Sequence, residues 1–191
     1  MEHSIEDKSR CPWCGDDPLY VKYHDEEWGK EVRDDQSMFE MLILETFQAG
    51  LSWITILRKR ENFRIAFLDF DVAQVAQMSD GDLERLLKDA GIVRNKLKIW
   101  AARTNAQAFV KVAEEFGSFT NYIWKFSNNR PIVNRWRSLD EIPTKTELSE
   151  RVSNDLKRRG FKFVGSTVMY AYLQATGIID DHLLDCWRKK E

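Results

Sequence analysis

The feature that most constrains this chain is where it keeps its soft metal ligands. Of three cysteines and three histidines, five fall in two short clusters at opposite ends of the 191 residues: Cys11, Cys14 and His24 near the start, His182 and Cys186 near the end. His182 and Cys186 are four apart, which predicts that both lie on one face of a last helix starting at Asp180 or Asp181 and reach one ion. Cys11 or Cys14, with His24, can supply the other two ligands. A closed Cys2His2 shell of this kind is the pattern of a structural zinc ion, one per chain. A chain that builds it must fold so that its two ends meet.

Three other uses of these residues compete with that one. Free cysteines are commonly small buried hydrophobes. Cys11-Pro-Trp-Cys14 resembles a redox C-x-x-C pair, but such pairs follow a strand and open a helix in an α/β fold, and no βαβ pattern is present. His24-Asp25-Glu26 matches the H-x-E of zinc deaminases, but their cysteine pair follows the histidine as P-C-x-x-C, and here it precedes it.

Between the two clusters the pattern is helical, and the fold class expected is all-α, one unit over residues 1–191. Phe39, Leu42, Ile43 and Thr46 recur at the spacing of a buried helical stripe, predicting a helix over 34–47 that ends at Gly50. Further helices are expected over 51–60 and 71–77, and one capped by Ser79 through Leu87. Gly91 suits a left-handed residue closing that helix, and Asn95 suits the cap of the next, which runs to about Phe116. The short turn between them makes residues near 80–115 a helix-hairpin-helix candidate. Another short helix is expected over 118–126, a loop over 127–143, a helix from a capping box Thr144-x-x-Glu147 to Arg159, and one over 165–176. Residues 1–33, with Pro12, Gly15, Pro18 and Gly29, read as irregular.

Hydrophobic residues at 43% allow a real core, and a net charge of −2 neither requires nor excludes a nucleic-acid partner, because a balanced total can hide a basic face. No apolar run approaches a membrane span. The N-terminus is polar and lacks a signal core. A soluble, cytoplasmic protein in a reducing compartment is expected, without a disulfide framework.

Two anomalies point to a site. Trp13, Tyr20, Tyr23, Trp28 and Trp53 crowd the first quarter of the chain, where they can form a satellite core or line a pocket for a flat ring. Glu45 sits inside an apolar helix, at the edge of its stripe. It either points to solvent or offers an acceptor to a donor-rich or cationic ligand; aromatics with one carboxylate suit a cationic aromatic molecule.

Together these residues resemble the type I 3-methyladenine DNA glycosylases. The matches are C-P-W-x-x-x-D-P-L-Y-x-x-Y-H-D-x-E-W-G at 11–29, L-E-x-x-Q-A-G-L-S-W at 44–53, L-x-K-R-E-N-F at 57–63, D-A-G-I-V-R at 89–94, L-K-R-R-G-F-K-F-V-G at 156–165 and D-H-L-L-D-C at 181–186. The resemblance implies the helix-hairpin-helix glycosylase fold and zinc held by Cys11, His24, His182 and Cys186, with Cys14 outside the pattern. It implies an alkylated-base pocket of Glu45, Tyr23 and Trp53, walled by Trp13, Tyr20 and Trp28. Gly50 and Leu51 correspond to the turn that enters the base stack, and the hairpin at Gly91 to a phosphate site. Residues 117–126 contain no acid, so the catalytic aspartate of the wider superfamily is missing, as in the type I family.

The implied reaction is hydrolysis of the N-glycosidic bond of 3-methyladenine in alkylated double-stranded DNA. The methylated base carries positive charge, leaves readily, and needs no strong general acid. The enzyme must flip it out and hold it, by stacking on Tyr23 and Trp53 and by hydrogen bonds to Glu45. DNA contact is expected through hairpin amides and through Arg94, Lys96 and Lys98. The protein is expected to act as a monomer. The alternative is a zinc-stapled, non-catalytic DNA-binding module that recognises alkylated sites; release of free base separates the two.

Overall fold

A computed structural model describes residues 8–190 of the chain. Its centre is a helix that is apolar nearly all round, which forces burial on every side. This is α2, Asp35–Gln48, preceded by α1, Pro18–Glu26. Met38, Phe39 and every residue from Met41 to Phe47 are buried, Glu45 among them. Asp34 starts α2 by accepting from the Ser37 amide (2.8 Å).

Against it pack α3 (Trp53–Ala66), α6 (Lys96–Phe116), α7 (Phe119–Lys125) and α9 (Ser166–Ala175), while α4 (Val72–Ala76) and α5 (Asp80–Leu86) pack on α6, and α8 (Glu147–Arg158) packs on α9. Side-chain caps set most of the starts: Asp71 for α4, the Ser79–Asp82 capping box for α5, Asn95 for α6 and Ser118 for α7. One hydrophobic core runs from Tyr23 to Ile179, and a smaller one joins Cys11, Leu183 and Cys186. Two short strands, β1 (Ile132–Val133) and β2 (Ile179–Asp180), pair in parallel, Ile132 opposite Ile179. The protein is therefore mostly helical, with a single two-stranded ladder among the described residues. No helix among them is long and apolar enough to cross a membrane.

Several expectations change. The stretch expected to be irregular, 1–33, contains α1; its residues 1–7 lie outside the described residues. Pro18 is not a breaker there: it occupies the first helical position, where no amide is needed, and Asp17 accepts from the Leu19 and Tyr20 amides. The helix expected over 51–60 runs from Trp53 to Ala66. The capping box of α8 is Thr146 with Ser149, two residues later than expected. No helix carries His182 and Cys186. Amides that a helix would use are taken by distant carbonyls, Leu184 by Trp136 (2.9 Å) and Trp187 by Ser9 (2.9 Å), so this segment is a series of turns. Finally, Gly91 is not left-handed. A Cβ there would lie 2.9 Å from Asp89 Oδ1 and 3.0 Å from Asn62, so the position needs a glycine for space.

Candidate functional site

The aromatic-rich first quarter and α2 meet at a cavity of about 200 Å³. Trp13, Tyr20, Tyr23, Trp28 and Trp53 all line it, with Glu45 at its wall. The rings support one another: Trp13 lies 5.1 Å from Tyr20 and 4.9 Å from Trp28, and Tyr23 lies 5.5 Å from Trp53, centroid to centroid. Helix α1 explains the grouping, since it carries Tyr20 and Tyr23 toward the start of α3, where Trp53 is the first residue.

Glu45 is 4% exposed, and its Oε2 has no hydrogen-bond partner. Burial alone pushes its carboxyl up to about 8. The Tyr23 hydroxyl is driven well above its ordinary range by burial and by the nearby Glu45. The indole N–H of Trp53 is likewise buried without a partner. Unmatched buried polar atoms are destabilising unless something arrives to match them. The cavity is thus an apolar slot between ring faces, holding an acceptor that lacks a donor. It fits a flat ring bearing N–H groups or positive charge.

The second centre lies directly behind. Cys11, His24, His182 and Cys186 are all buried, and their ligand atoms lie within 4.8 Å of one another, a group that can hold a metal ion. Cys11 Sγ is 3.6 Å from His182 Nδ1, and Cys186 Sγ is 3.5 Å from His182 Nδ1 and 3.4 Å from His24 Nε2. With ligand bonds of about 2.0–2.3 Å, the edges of a tetrahedral N/S shell are about 3.5 Å, so the donor set suits zinc. The outward nitrogens are already engaged: His24 Nδ1 with Asp25 Oδ1 (2.8 Å), and His182 Nε2 with the Trp28 carbonyl (3.2 Å). Such outer partners orient ligating imidazoles. Burial alone would raise the Asp25 carboxyl, but Arg10, His24 and Trp187 outweigh it and hold it at about 2. Contact with the Cys186 sulfur, and burial, push the Cys11 thiol up, while the same contact and the two imidazoles hold Cys186 low. Gly29 is needed here, since a Cβ would stand 2.9 Å from His182 Nε2. Cys14 is buried outside the group, its thiol donating to the Cys11 carbonyl (3.2 Å).

The two centres share walls. Trp13 lies 5.3 Å from the His24 ring, and Trp28 lies 4.6 Å from His182. Joining the chain's ends therefore braces the cavity.

A sequence model of the methyladenine glycosylase family matches residues 13–189. The chain is 48% identical over 177 residues to DNA-3-methyladenine glycosylase 1 of Escherichia coli strain K12, covering 93% of this chain and 95% of that protein. This chain belongs to the methyladenine glycosylase family. Solved structures agree. A crystal structure of 3-methyladenine DNA glycosylase I matches with a TM-score of 0.93 at 45% identity, covering 95% of this chain and all of that one. A structure described as the basis of 3-methyladenine recognition by the Staphylococcus aureus enzyme matches with a TM-score of 0.92 at 37% identity, covering 95% and 97%.

In this methyladenine glycosylase the remaining expected residues fall at three places. Gly50, left-handed at φ +83°, and Leu51, 40% exposed, form the turn between α2 and α3 at the rim of the site. Gly91 lies in the turn between α5 and α6, its carbonyl held by Lys59 Nζ and Asn62 Nδ2 (3.3 Å each). Arg94 and Lys96 are exposed where α6 begins. Lys98 differs from the expectation. It is buried, and its Nζ donates to the carbonyls of Phe47 (3.0 Å) and Ala49 (3.1 Å), closing the C-terminus of α2 rather than facing a phosphate. Four cavity residues escape sequence reasoning: Gln48, Ile142, Ala171 and Gln174. Gln48 was within reach, three past Glu45 on the same helix. Ile142 arrives from the 127–143 loop and Gln174 from α9, with no sequence signal linking them to α2. The Gln174 amide nitrogen is committed to Asp181 (2.7 Å), the neighbour of His182.

Proposed function

We propose that this chain is a DNA repair glycosylase that hydrolyses the N-glycosidic bond of 3-methyladenine in alkylated double-stranded DNA and releases the free base. One observation carries the reading: the partnerless Glu45 carboxyl in an aromatic slot, within a chain of this family. Tyr23 and Trp53 stack on the flipped base; Trp13, Tyr20 and Trp28 form the wall behind. Glu45 accepts from the base and is drawn into its ionised form by the base's positive charge. A neutral, well-paired adenine offers no such charge and stays in the stack. Because the methylated base leaves readily, holding it apart from the duplex supplies most of what the reaction needs.

On this reading, α5, the Gly91 turn and α6 act as a helix-hairpin-helix, with hairpin amides, Arg94 and Lys96 on phosphates, and Gly50–Leu51 entering the stack. The metal is one zinc per chain on Cys11, His24, His182 and Cys186. Four protein ligands leave no open position, so its contribution is to structure. The chain is a single unit, a reading supported by the continuous core from Tyr23 to Ile179, and the protein acts as a monomer in the cytoplasm. The test is to incubate the protein with methylated duplex DNA and identify released bases by chromatography. Release of 3-methyladenine, slowed in Glu45→Gln, supports the reading; binding to alkylated DNA without release makes it a recognition module instead.

A further inference from the structure

Phe163 is held in left-handed backbone, φ +58°, and the residue is 41% exposed. A residue with a Cβ rarely takes that conformation unless its surroundings impose it, and one so exposed gains little there by packing. The surroundings do impose it. Asn105, fully buried on α6, grips the preceding residue on both sides: its Nδ2 donates to the Lys162 carbonyl (3.1 Å) and its Oδ1 accepts from the Lys162 amide (2.7 Å). On the other side, the buried Ser153 hydroxyl donates to the Val164 carbonyl (2.6 Å). Other non-glycine residues with positive φ have local explanations. Asn128 and Asn129 are a type that tolerates it, and Leu68–Phe70 form a turn closed by its own backbone bonds. Phe163 stands alone between two clamped neighbours.

Its position is also informative. Lys98 and Asn105 are seven residues apart on α6, hence on one face and two turns, about 10 Å, apart. Lys98 fixes the carbonyls that lead into the Leu51 turn; Asn105 fixes the turn that presents Phe163. One helix, with Arg94 and Lys96 at its start, therefore anchors two turns that each carry an exposed apolar side chain, Leu51 and Phe163. The Phe163 turn leads straight into α9, whose Ala171 and Gln174 wall the base cavity. Lys162, exposed beside the ring, adds a cation suited to a phosphate.

We infer that Phe163 is a second DNA-contacting wedge, whose ring stacks on the base of the complementary strand left unpaired when the lesion enters the cavity. This rests on the glycosylase reading above and assigns it a residue outside the base cavity. A flat ring with a flanking cation matches a base with its phosphate, and apolar wedges between base steps are a recurrent means of holding a duplex open.

Phe163→Asn tests it, because asparagine accepts the left-handed backbone without the ring; Phe163→Gly serves if that variant fails to fold. Excision from methylated duplex DNA at low substrate should fall roughly 5- to 150-fold, the stacking of one base, while affinity for free 3-methyladenine is unchanged and the melting temperature is equal or higher. Phe163→Tyr should retain wild-type excision. With 2-aminopurine opposite an abasic site, saturating wild-type protein should change its emission, and Phe163→Asn should not. Unchanged duplex excision with an unchanged 2-aminopurine response overturns the inference. So does an equal fall in affinity for the free base, which would mean a collapsed cavity. If the wild type releases no base, the glycosylase reading fails, and the 2-aminopurine measurement still decides whether Phe163 meets the opposite strand.

Discussion

Glu45→Gln separates what the fold needs from what the site needs. The side chain is buried, Oε2 has no donor, and burial raises its carboxyl from 4.5 to about 8. That rise is a penalty of about 5 kcal/mol on the ionised form. In the unfolded chain the carboxyl ionises near its ordinary value, so between about pH 4.5 and 8 folding takes up a proton. Stability is therefore greatest below the lower value and declines as pH rises, by about 1.4 kcal/mol per pH unit, until about pH 8. Glutamine does not titrate. It buries an amide whose donors lack partners, a fixed cost of about 1–3 kcal/mol. Near pH 5 the variant should be no more stable than wild type; near pH 8 the balance should have moved in its favour by about 3–4 kcal/mol, roughly 10 °C in melting temperature for a chain of this size. The assay is a set of thermal melts of both proteins from pH 5 to 8 without ligand. The same variant should bind free 3-methyladenine weakly and excise it slowly at every pH. Parallel melting profiles would show that Glu45 is ionised or partnered in the free protein, and would refute the reasoning that burial without a partner holds its carboxyl neutral.

Four further outcomes follow from the same geometry. Elemental analysis of protein purified without added metal should find zinc near equimolar, and Cys186→Ser should lower the melting temperature more than it lowers activity per folded molecule; a fully folded metal-free protein refutes the zinc assignment. Replacing Arg94 and Lys96 with alanine should weaken duplex binding and flatten its salt dependence, by roughly 0.9 in slope for each phosphate no longer neutralised. Lys98→Met should instead destabilise the fold by about 1–3 kcal/mol, because the Phe47 and Ala49 carbonyls are left without their donor; wild-type stability with a reduced salt slope would return Lys98 to the phosphate face. Trp53→Ala should reduce affinity for the free base by the stacking of one ring, about 1–3 kcal/mol, measured by titration beside melts of the variant; an unaltered affinity removes Trp53 from the base's surface.

Helices whose signals are local were legible in the amino-acid order. The stripe through Phe39, Leu42 and Ile43, the Ser79 and Asn95 caps and the stop after Phe116 follow from spacing and short-range hydrogen bonds. The metal cluster was legible for a different reason: soft ligands are few in this chain, so His24, His182 and Cys186 with one of Cys11 and Cys14 stand out, and the family resemblance chose Cys11. The aromatic cavity residues stood out because so many rings crowd one stretch; that alone left a satellite core open, and the family resemblance put them in the pocket.

Tertiary structure decided what short-range patterns cannot carry. His182 and Cys186 look helical by spacing, yet Trp136 and Ser9 take the amides that a helix would have used. Lys98 reads as a surface cation beside Arg94 and Lys96, but one helical step turns it inward onto two carbonyls of α2. Pro18 reads as a breaker until Asp17 makes it a helix start. Ile142 and Gln174 enter the cavity only because the 127–143 loop and α9 pack against α2, a meeting of segments far apart in the chain. The amino-acid order by itself determined which side chains could do the chemistry, since that depends on residue type and local spacing. Only the packed structure decided which are buried, which face one another and which lack a partner, because burial and pairing belong to the whole fold and to no single stretch of it.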